Sequence, residues 1–332
     1  MVPRVKNLGG AMMPKTRMYA SSDSFLDRVD CLLEIYKEKI PNNGEDAYVF
    51  SVNCCAVLIG AFDGCGGAGA KRHAKLQGKT GAYAASRIVS GTVKDWFSNT
   101  ASNIVQKQDS LKESILQNLQ SCYDVVGEAS RLVSPMVKVF PTTAAFACCT
   151  EENGRLYCDY FWAGDSRVYL WNSEGLFQLS VDDLSVPDAM ENLYDDGVMT
   201  NLVSKSKDFT IHHGRIALEK PGIVFAATDG CFGYVSSPME FEYMLADTLM
   251  ASQSICEWEQ RLGERIGAVA GDDYTLSGVV LDFGSFPQIR NAFEARRNEL
   301  YENYICLMDG MSREQKTALW QAYKKTYYFY KN

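Results

Sequence analysis

The chain has 332 residues, with 33 Lys and Arg against 41 Asp and Glu, a net charge of −8, and 46% hydrophobic residues. That supports one large buried core or two modest ones, and 22% charged residues place the chain among globular rather than disordered proteins. The acidic balance without a long basic run excludes nucleic acid as a partner, and the lack of a signal-type or membrane-length apolar run excludes a membrane and leads to a cytoplasmic expectation.

Residues 1–22 mix Gly, Pro, Ser and scattered charge and read as a loose segment. Between Ser24 and Lys39 the apolar residues Phe25, Leu26, Val29, Leu32, Leu33, Ile35 and Tyr36 recur at helical spacing, with Asp23 or Ser24 as N-cap. A helix is expected there, stopped by Pro41-Asn42-Asn43-Gly44. From Asp46 the pattern changes to a strand, a reversal near Asn53, and a second strand with no polar alternation, which suggests burial on both faces. That strand ends in Asp63 and a glycine-rich turn. A carboxylate at the end of a rigid strand, beside glycines that allow close backbone approach, suits a cation; the plainer reading is that Asp-Gly only closes a turn. Ala68–Phe97 reads as a helix with possible interruptions at Gly78 and Gly81, and Leu111–Ala129 as a second, the two covering one side of a sheet.

From Thr143 the texture becomes β-rich. TAAFACCTE and RLYCDYFWAG are separated by Glu152-Asn153-Gly154, and SRVYLW and LFQLS by Asn172-Ser173-Glu174-Gly175, so two hairpins and an antiparallel meander are expected. Asp182–Asp208 is acidic and weakly periodic and reads as a surface excursion able to border a substrate cleft. FTIHHGRIAL and IVFAATD resume the strands, Pro238–Gly267 carries two helices, and DYTLSGVVLDF is a last strand. Beyond Pro287 the pattern is helical, with Trp320, Tyr323, Tyr327, Tyr328 and Tyr330 read as packing residues rather than a ligand cage. The eleven cysteines are odd in number and form no C-x-x-C pair. Cys54-Cys55 and Cys148-Cys149 fall in apolar strands, so small buried thiols in a reducing compartment are expected.

Acidic residues recur where loops leave strands: Glu45-Asp46, Asp63, Asp229 and Asp272-Asp273, with Asp165 at a hairpin between two strands. Hard oxygen donors suit Mn²⁺ or Mg²⁺, and no His or Cys cluster at ligand spacing points to zinc. Two such cations close together would acidify a water between them and clamp the oxygens of a phosphoryl group, so phosphate ester hydrolysis is the reaction this set serves best. Each acid alone is more often a turn cap than a ligand.

The order GED, DGxGG, TTA before a strand, AGDSRV, an apolar strand into TDG, and a final DD-x-T strand resembles the metal-dependent Ser/Thr protein phosphatases, the type 2C or PPM family, over roughly Pro41 to Phe283. The resemblance implies an α+β, four-layer α/β/β/α sandwich of two antiparallel sheets flanked by helices. With the 1–22 segment before it, the phosphatase-like domain would span 23–284, and 285–332 would be a C-terminal helical extension. It implies Asp63 bridging two metals, with the Gly64 carbonyl and Glu45 completing the second site, Asp229 and Asp272 on the first, and Asp165 near a weaker third. It further implies phosphoserine or phosphothreonine proteins as substrates and a cognate Ser/Thr kinase system.

The chain departs from the family in places. The arginine usually found before the Glu-Asp pair is absent, leaving Lys39 as a point charge without the bidentate fork. Cys65 stands where many members have His as general acid; Gly233 and Asp273 replace the usual Asp and Asn. His73 is a candidate replacement acid, although an exposed helix face is its plainer home. Cys65 as a covalent nucleophile lacks a C-x₅-R loop, and His212-His213 has no carboxylate partner at ligand spacing. The alternative to an enzyme is a pseudophosphatase scaffold docking through the C-terminal helices.

Overall fold

The computed structural model describes residues 24–100, 108–126, 139–195, 197–206 and 208–329, so the loose segment expected over 1–22 and Tyr330 lie outside the described residues. Ser24–Asp27 makes one helical turn (α1), and Val29–Lys37 is a strand (β1), which overturns the helix expected up to Lys39. The reason is two-sided burial. Leu33 and Ile35 pack toward outer helices, while Leu32 and Val29 pack toward the facing sheet. A strand covered on both faces loses its alternation, and over this length its apolar residues also satisfy a helical spacing.

Ala47–Val52 (β2) and Ala56–Phe62 (β3) form the expected hairpin, and every residue of β3 is buried. Its turn exposes Cys54 and Cys55, contrary to expectation, because the strand begins only at Ala56. Cys148, Cys149 and Cys158 are buried as expected. The long helix expected over Ala68–Phe97 is broken. Gly66–Gly69 makes one turn (α2), Arg72–His73 (β4) pairs with Lys79–Thr80 (β5) as a small ribbon, and the helix proper is Gly81–Thr100 (α3). Gln77 and Gly78, at φ 57° and 78°, close that ribbon in a conformation a helix cannot continue. Gln108–Val126 is α4.

The remaining strands are Ala144–Glu152 (β6), Arg155–Ala163 (β7), Arg167–Asn172 (β8), Gly175–Gln178 (β9), His212–Leu218 (β10), Gly222–Ala227 (β11) and Tyr274–Leu281 (β12). They build two antiparallel sheets of five, ordered β1-β12-β11-β8-β9 and β10-β7-β6-β3-β2. The two expected hairpins are present, but the meander is not continuous. Asp165 therefore does not sit in a hairpin: the Gly164-Asp165-Ser166 turn carries the chain from β7 in one sheet to β8 in the other.

Val57, Ile59, Ala61, Ala145, Val168, Val224 and Val279 fill the space between the sheets. Outside the β3 sheet lie α3 and α4, where Phe146 stacks on Phe161 at 4.8 Å and Trp96 meets Phe161 edge-on at 5.7 Å. Outside the β12 sheet lie Pro238–Met250 (α6) and Ile255–Gly267 (α7), after a single turn at Asp229–Phe232 (α5). The layers are the α/β/β/α sandwich expected, with helices beyond it.

Those helices are Phe286–Leu300 (α8), Cys306–Met308 (α9) and Arg313–Tyr327 (α10), the last started by a capping box between Ser312 and Gln315. They share one core with the β12 sheet. Phe293 stacks on Trp171 at 3.8 Å, and Trp320, Tyr323, Tyr327 and Tyr328 are buried in the same cluster. The aromatic face of the tail is thus spent on packing within the chain, as read from the sequence.

Candidate active site

The loops that carry the acids meet at one end of the sandwich, and backbone contacts bring them there. Asp63 follows β3; its N–H donates to Thr143 Oγ1 at 3.1 Å, and its carbonyl accepts from Thr143 N at 2.8 Å and Thr142 Oγ1 at 2.7 Å. Thr143 Oγ1 lies 2.6 Å from Ser166 Oγ, which ties the Asp63 loop to the Asp165 turn. The Asp229 turn is pressed against the β12 entry so closely that a Cβ on Gly230 would overlap the Asp273 carbonyl oxygen. A Cβ on Gly66 would meet the Glu45 carboxylate, so a larger residue in the turn after Asp63 would displace that side chain.

Glu45 is held from two sides. The Asp273 carboxylate accepts from Lys39 N at 2.7 Å and Glu45 N at 2.6 Å, and Arg87, with Tyr83 stacked beneath its guanidinium, donates to the Gly44 and Glu45 carbonyls at 3.1 and 3.2 Å. The Thr80 hydroxyl donates to the Glu45 carboxylate. Asp46 is buried and accepts from the Thr228 and Thr275 hydroxyls, both at 2.8 Å, which pins β2, β11 and β12 together beneath the site.

The electrostatics show that the acids share one neighbourhood. Burial lifts the Asp63 carboxyl well above its ordinary range, and the Asp229, Asp46, Asp165 and Asp272 carboxylates raise it further. Burial, then Asp229 and Asp182, push Asp165 to about 8, with Arg167 opposing. Burial lifts Asp46 to about 7 against its two hydroxyl donors. Glu45 is raised by burial, with Asp273 and Asp272 adding to it and Thr80 and Arg72 opposing.

Carboxylates gathered in this way are donors matched to a hard divalent cation. Their side chains nonetheless stand apart: among the described residues no three His, Cys, Asp or Glu side chains converge in a metal-binding arrangement. Asp272 is exposed and its carboxylate accepts from Asp273 N at 2.9 Å.

A pH dependence follows for the metal-free protein. At low pH the folded and unfolded chains both hold the Asp46 and Asp165 protons, and no stability is lost. As pH rises past the ordinary value of 3.8, the unfolded chain releases them while the folded chain holds them up to about 7 and about 8, so stability falls across that window. The melting temperature in chelator is expected to drop from about pH 5 to about pH 8, and added Mn²⁺ should flatten the slope. A melting temperature that climbs with pH in chelator would contradict this electrostatic picture.

Other candidates fall elsewhere. His73 lies on the ribbon, buried, with its ring 5.9 Å from Phe140, and not on an exposed helix face. His212 and His213 each have one carboxylate partner, Asp183 and Asp159, at 3.0 Å, and neither partner stands at ligand spacing in the sequence. Both partners are distant in sequence, and β10 reaches them only by pairing with β7 and by the fold of the 182–208 segment. That segment is more than a surface excursion: Asp182 forms a buried ion pair with Arg167 at 2.6 Å, and Val203 pairs with Thr142, which itself bridges to Gly64. Cys65 Sγ lies 3.9 Å from the Asp63 carbonyl oxygen. The Lys39 ammonium donates to the Gly271 carbonyl beside Asp272. Sequence reasoning missed Arg87, Thr80 and the Thr142-Thr143 brace as positioning residues. Of these only Thr142-Thr143 carried a signal, the TTA motif.

Two antiparallel sheets face to face, helices on both outer faces, and acid-bearing loops gathered at one end are the frame of the site, and comparison with known proteins places that frame among the protein serine/threonine phosphatases. The family model described as protein phosphatase 2C matches residues 37–266, more than half of the chain, and the chain belongs to that family. Solved structures agree in fold. Serine/threonine phosphatase Stp1 from Staphylococcus aureus is 17% identical, with 76% of this chain and 95% of that one covered at a TM-score of 0.57. The Mycobacterium tuberculosis serine/threonine phosphatase PstP/Ppp is 15% identical over 76% of this chain and 98% of that one, at 0.53. The S. agalactiae serine/threonine phosphatase is 16% identical over 75% and 98%, at 0.52. No curated protein matches the chain.

Proposed function

We propose that this phosphatase hydrolyses phosphoserine and phosphothreonine in proteins, opposing a Ser/Thr kinase, with Mn²⁺ or Mg²⁺ as cofactor. The observation that carries the reading is Asp63, rigidly placed at the end of a buried strand and surrounded electrostatically by Asp229, Asp165, Asp272 and Asp46. Glu45, Asp63, the Gly64 carbonyl, Asp229 and Asp272 would hold two cations, and Asp165 would serve a third. When bound, such ions polarise phosphoryl oxygens and lower the pKa of water.

The chain's own residues do the rest. Thr142 and Thr143 fix the backbone at Asp63, and Asp273 with Arg87 fixes Glu45, so the acids are oriented before substrate arrives. Lys39, exposed beside Asp272, offers substrate phosphate one ammonium. Cys65 is a poor proton donor to a leaving alcohol. The eleven thiols are all free, which supports a reducing, cytoplasmic setting, and no described helix is long and apolar enough to cross a membrane.

In Mn²⁺, aryl phosphate, whose leaving group needs little protonation, is expected to be turned over out of proportion to phosphopeptide, with the general acid's share about 10²–10⁴-fold. Parallel rate measurements with calorimetric Mn²⁺ titration check this. Metal binding without turnover of either substrate would overturn the enzymatic reading in favour of a scaffold, and equal efficiency on both would show that another acid has replaced Cys65.

A further inference from the structure

A groove of about 650 Å³ runs along the edge of the β12 sheet and opens beside Asp272. One wall is the second half of β1, an edge strand; the other is α7, where Gly263 and Gly267, four residues apart, keep the wall low. Tyr274 forms part of the floor, its hydroxyl donating to the Gly263 carbonyl at 2.9 Å. The inner end holds Lys39 and Asp272, so the groove leads away from the acids assigned above.

We propose that this groove receives the polypeptide flanking the phosphorylated residue and selects substrates with Lys or Arg there; the proposal rests on the phosphatase reading. Glu34, Glu38, Glu259 and Glu264 line it along its length, against Lys37 and Lys39. The charges are also graded. Lys39 is at the inner end beside Asp272, where the dianionic phosphate would sit, and carboxylates follow outward, where positive flanks would lie.

Pairing of the peptide as an added strand is not what the groove offers at its centre, because Glu34 N on β1 already donates to Glu259 Oε1 at 2.8 Å. Selection by side-chain charge is what is left. Glu264 is exposed on α7, its carboxylate accepting from the Gln260 amide at 2.9 Å, and Glu34 is exposed on the facing strand. Glu264 projects its charge from the α7 wall, and Glu34, which also accepts a hydrogen bond from the Tyr48 hydroxyl, adds its charge on the β1 side.

The test uses the full chain in Mn²⁺ and two phosphothreonine peptides that differ only in Arg/Lys or Asp/Glu flanks. Fluorescence anisotropy measures binding, and p-nitrophenyl phosphate, too small to reach the groove, reports the chemistry. The unaltered protein is expected to bind the basic peptide about tenfold more tightly, with the margin shrinking as salt rises. In Glu34→Lys/Glu264→Lys that preference should vanish or invert while p-nitrophenyl phosphate turnover stays unchanged; should the Lys pair fold poorly, the neutral Glu34→Gln/Glu264→Gln pair should still reduce it. Equal binding of both peptides by the unaltered protein, or a preference that survives both variants, overturns the proposal. Failure of the unaltered protein to hydrolyse any ester would instead count against the phosphatase reading, and anisotropy would still judge the groove.

Discussion

Asp63→Asn is expected to lower aryl phosphate hydrolysis in Mn²⁺ by about 10³-fold or more, while raising the melting temperature of the metal-free protein by a few degrees. The two effects have one origin. Asp63 sits where burial and four neighbouring carboxylates all penalise its charge, which is a poor arrangement for a structural residue and a suitable one for binding cations. A neutral amide escapes the penalty that burial and the neighbouring acids place on ionising Asp63, so the metal-free fold gains. The same change deletes the carboxylate that would bridge the ions, so turnover goes. The backbone N–H and carbonyl of residue 63, which brace Thr142 and Thr143, are untouched by the substitution. Unchanged turnover would reject the assignment of Asp63. Lost turnover with a lower melting temperature would point to damage to the fold instead.

Glu242→Ala is expected to destabilise the protein by about 3–5 kcal/mol, the usual cost of leaving one partner of a buried ion pair alone. Glu242, on α6, is fully buried and accepts from Arg296 Nε at 2.9 Å and Nη2 at 2.7 Å, from the Tyr323 hydroxyl at 2.6 Å and from Trp171 Nε1 at 3.2 Å. One carboxylate thus joins a strand of the sandwich to α8 and α10. Its loss strips the acceptor from several buried donors at once, and Arg296 keeps the more exposed Glu299 as its carboxylate partner among the described residues. A fall of about 10 °C in melting temperature is expected, together with new protease cleavage between α8 and α10. A shift under about 2 °C would mean that the C-terminal helices are energetically separate from the sandwich.

Much of the fold was legible because local signals agreed with one another. β3 has an unbroken apolar run, Glu152-Asn153-Gly154 marks a two-residue reversal, and Ser237-Pro238 opens α6 with a side-chain cap and a proline in the first turn. Legibility failed where two periodicities coincide. Val29–Lys37 carries apolar residues for both of its faces, and only pairing with β12 decides that it is a strand. It failed again at Gly164-Asp165-Ser166, since a tight turn looks the same whether the next strand pairs back or crosses to the other sheet. Sheet membership is decided by β11, more than fifty residues further on, which takes β8 as its neighbour.

What the sequence by itself supplied was the set of candidate acids, Glu45, Asp63, Asp165, Asp229 and Asp272, and the buried strands that run into Asp63 and Asp229, because each rests on residues close together in the chain. What only the tertiary structure decided was how those acids are held and what lies around them. The Asp273 clamp on Glu45, Arg87 on the Gly44 and Glu45 carbonyls, the Thr228 and Thr275 hydroxyls on Asp46, and the groove between β1 and α7 all join residues tens to hundreds of positions apart. A hydrogen bond or a field between side chains depends on distance in space, and at such separations the chain's local pattern carries no record of it.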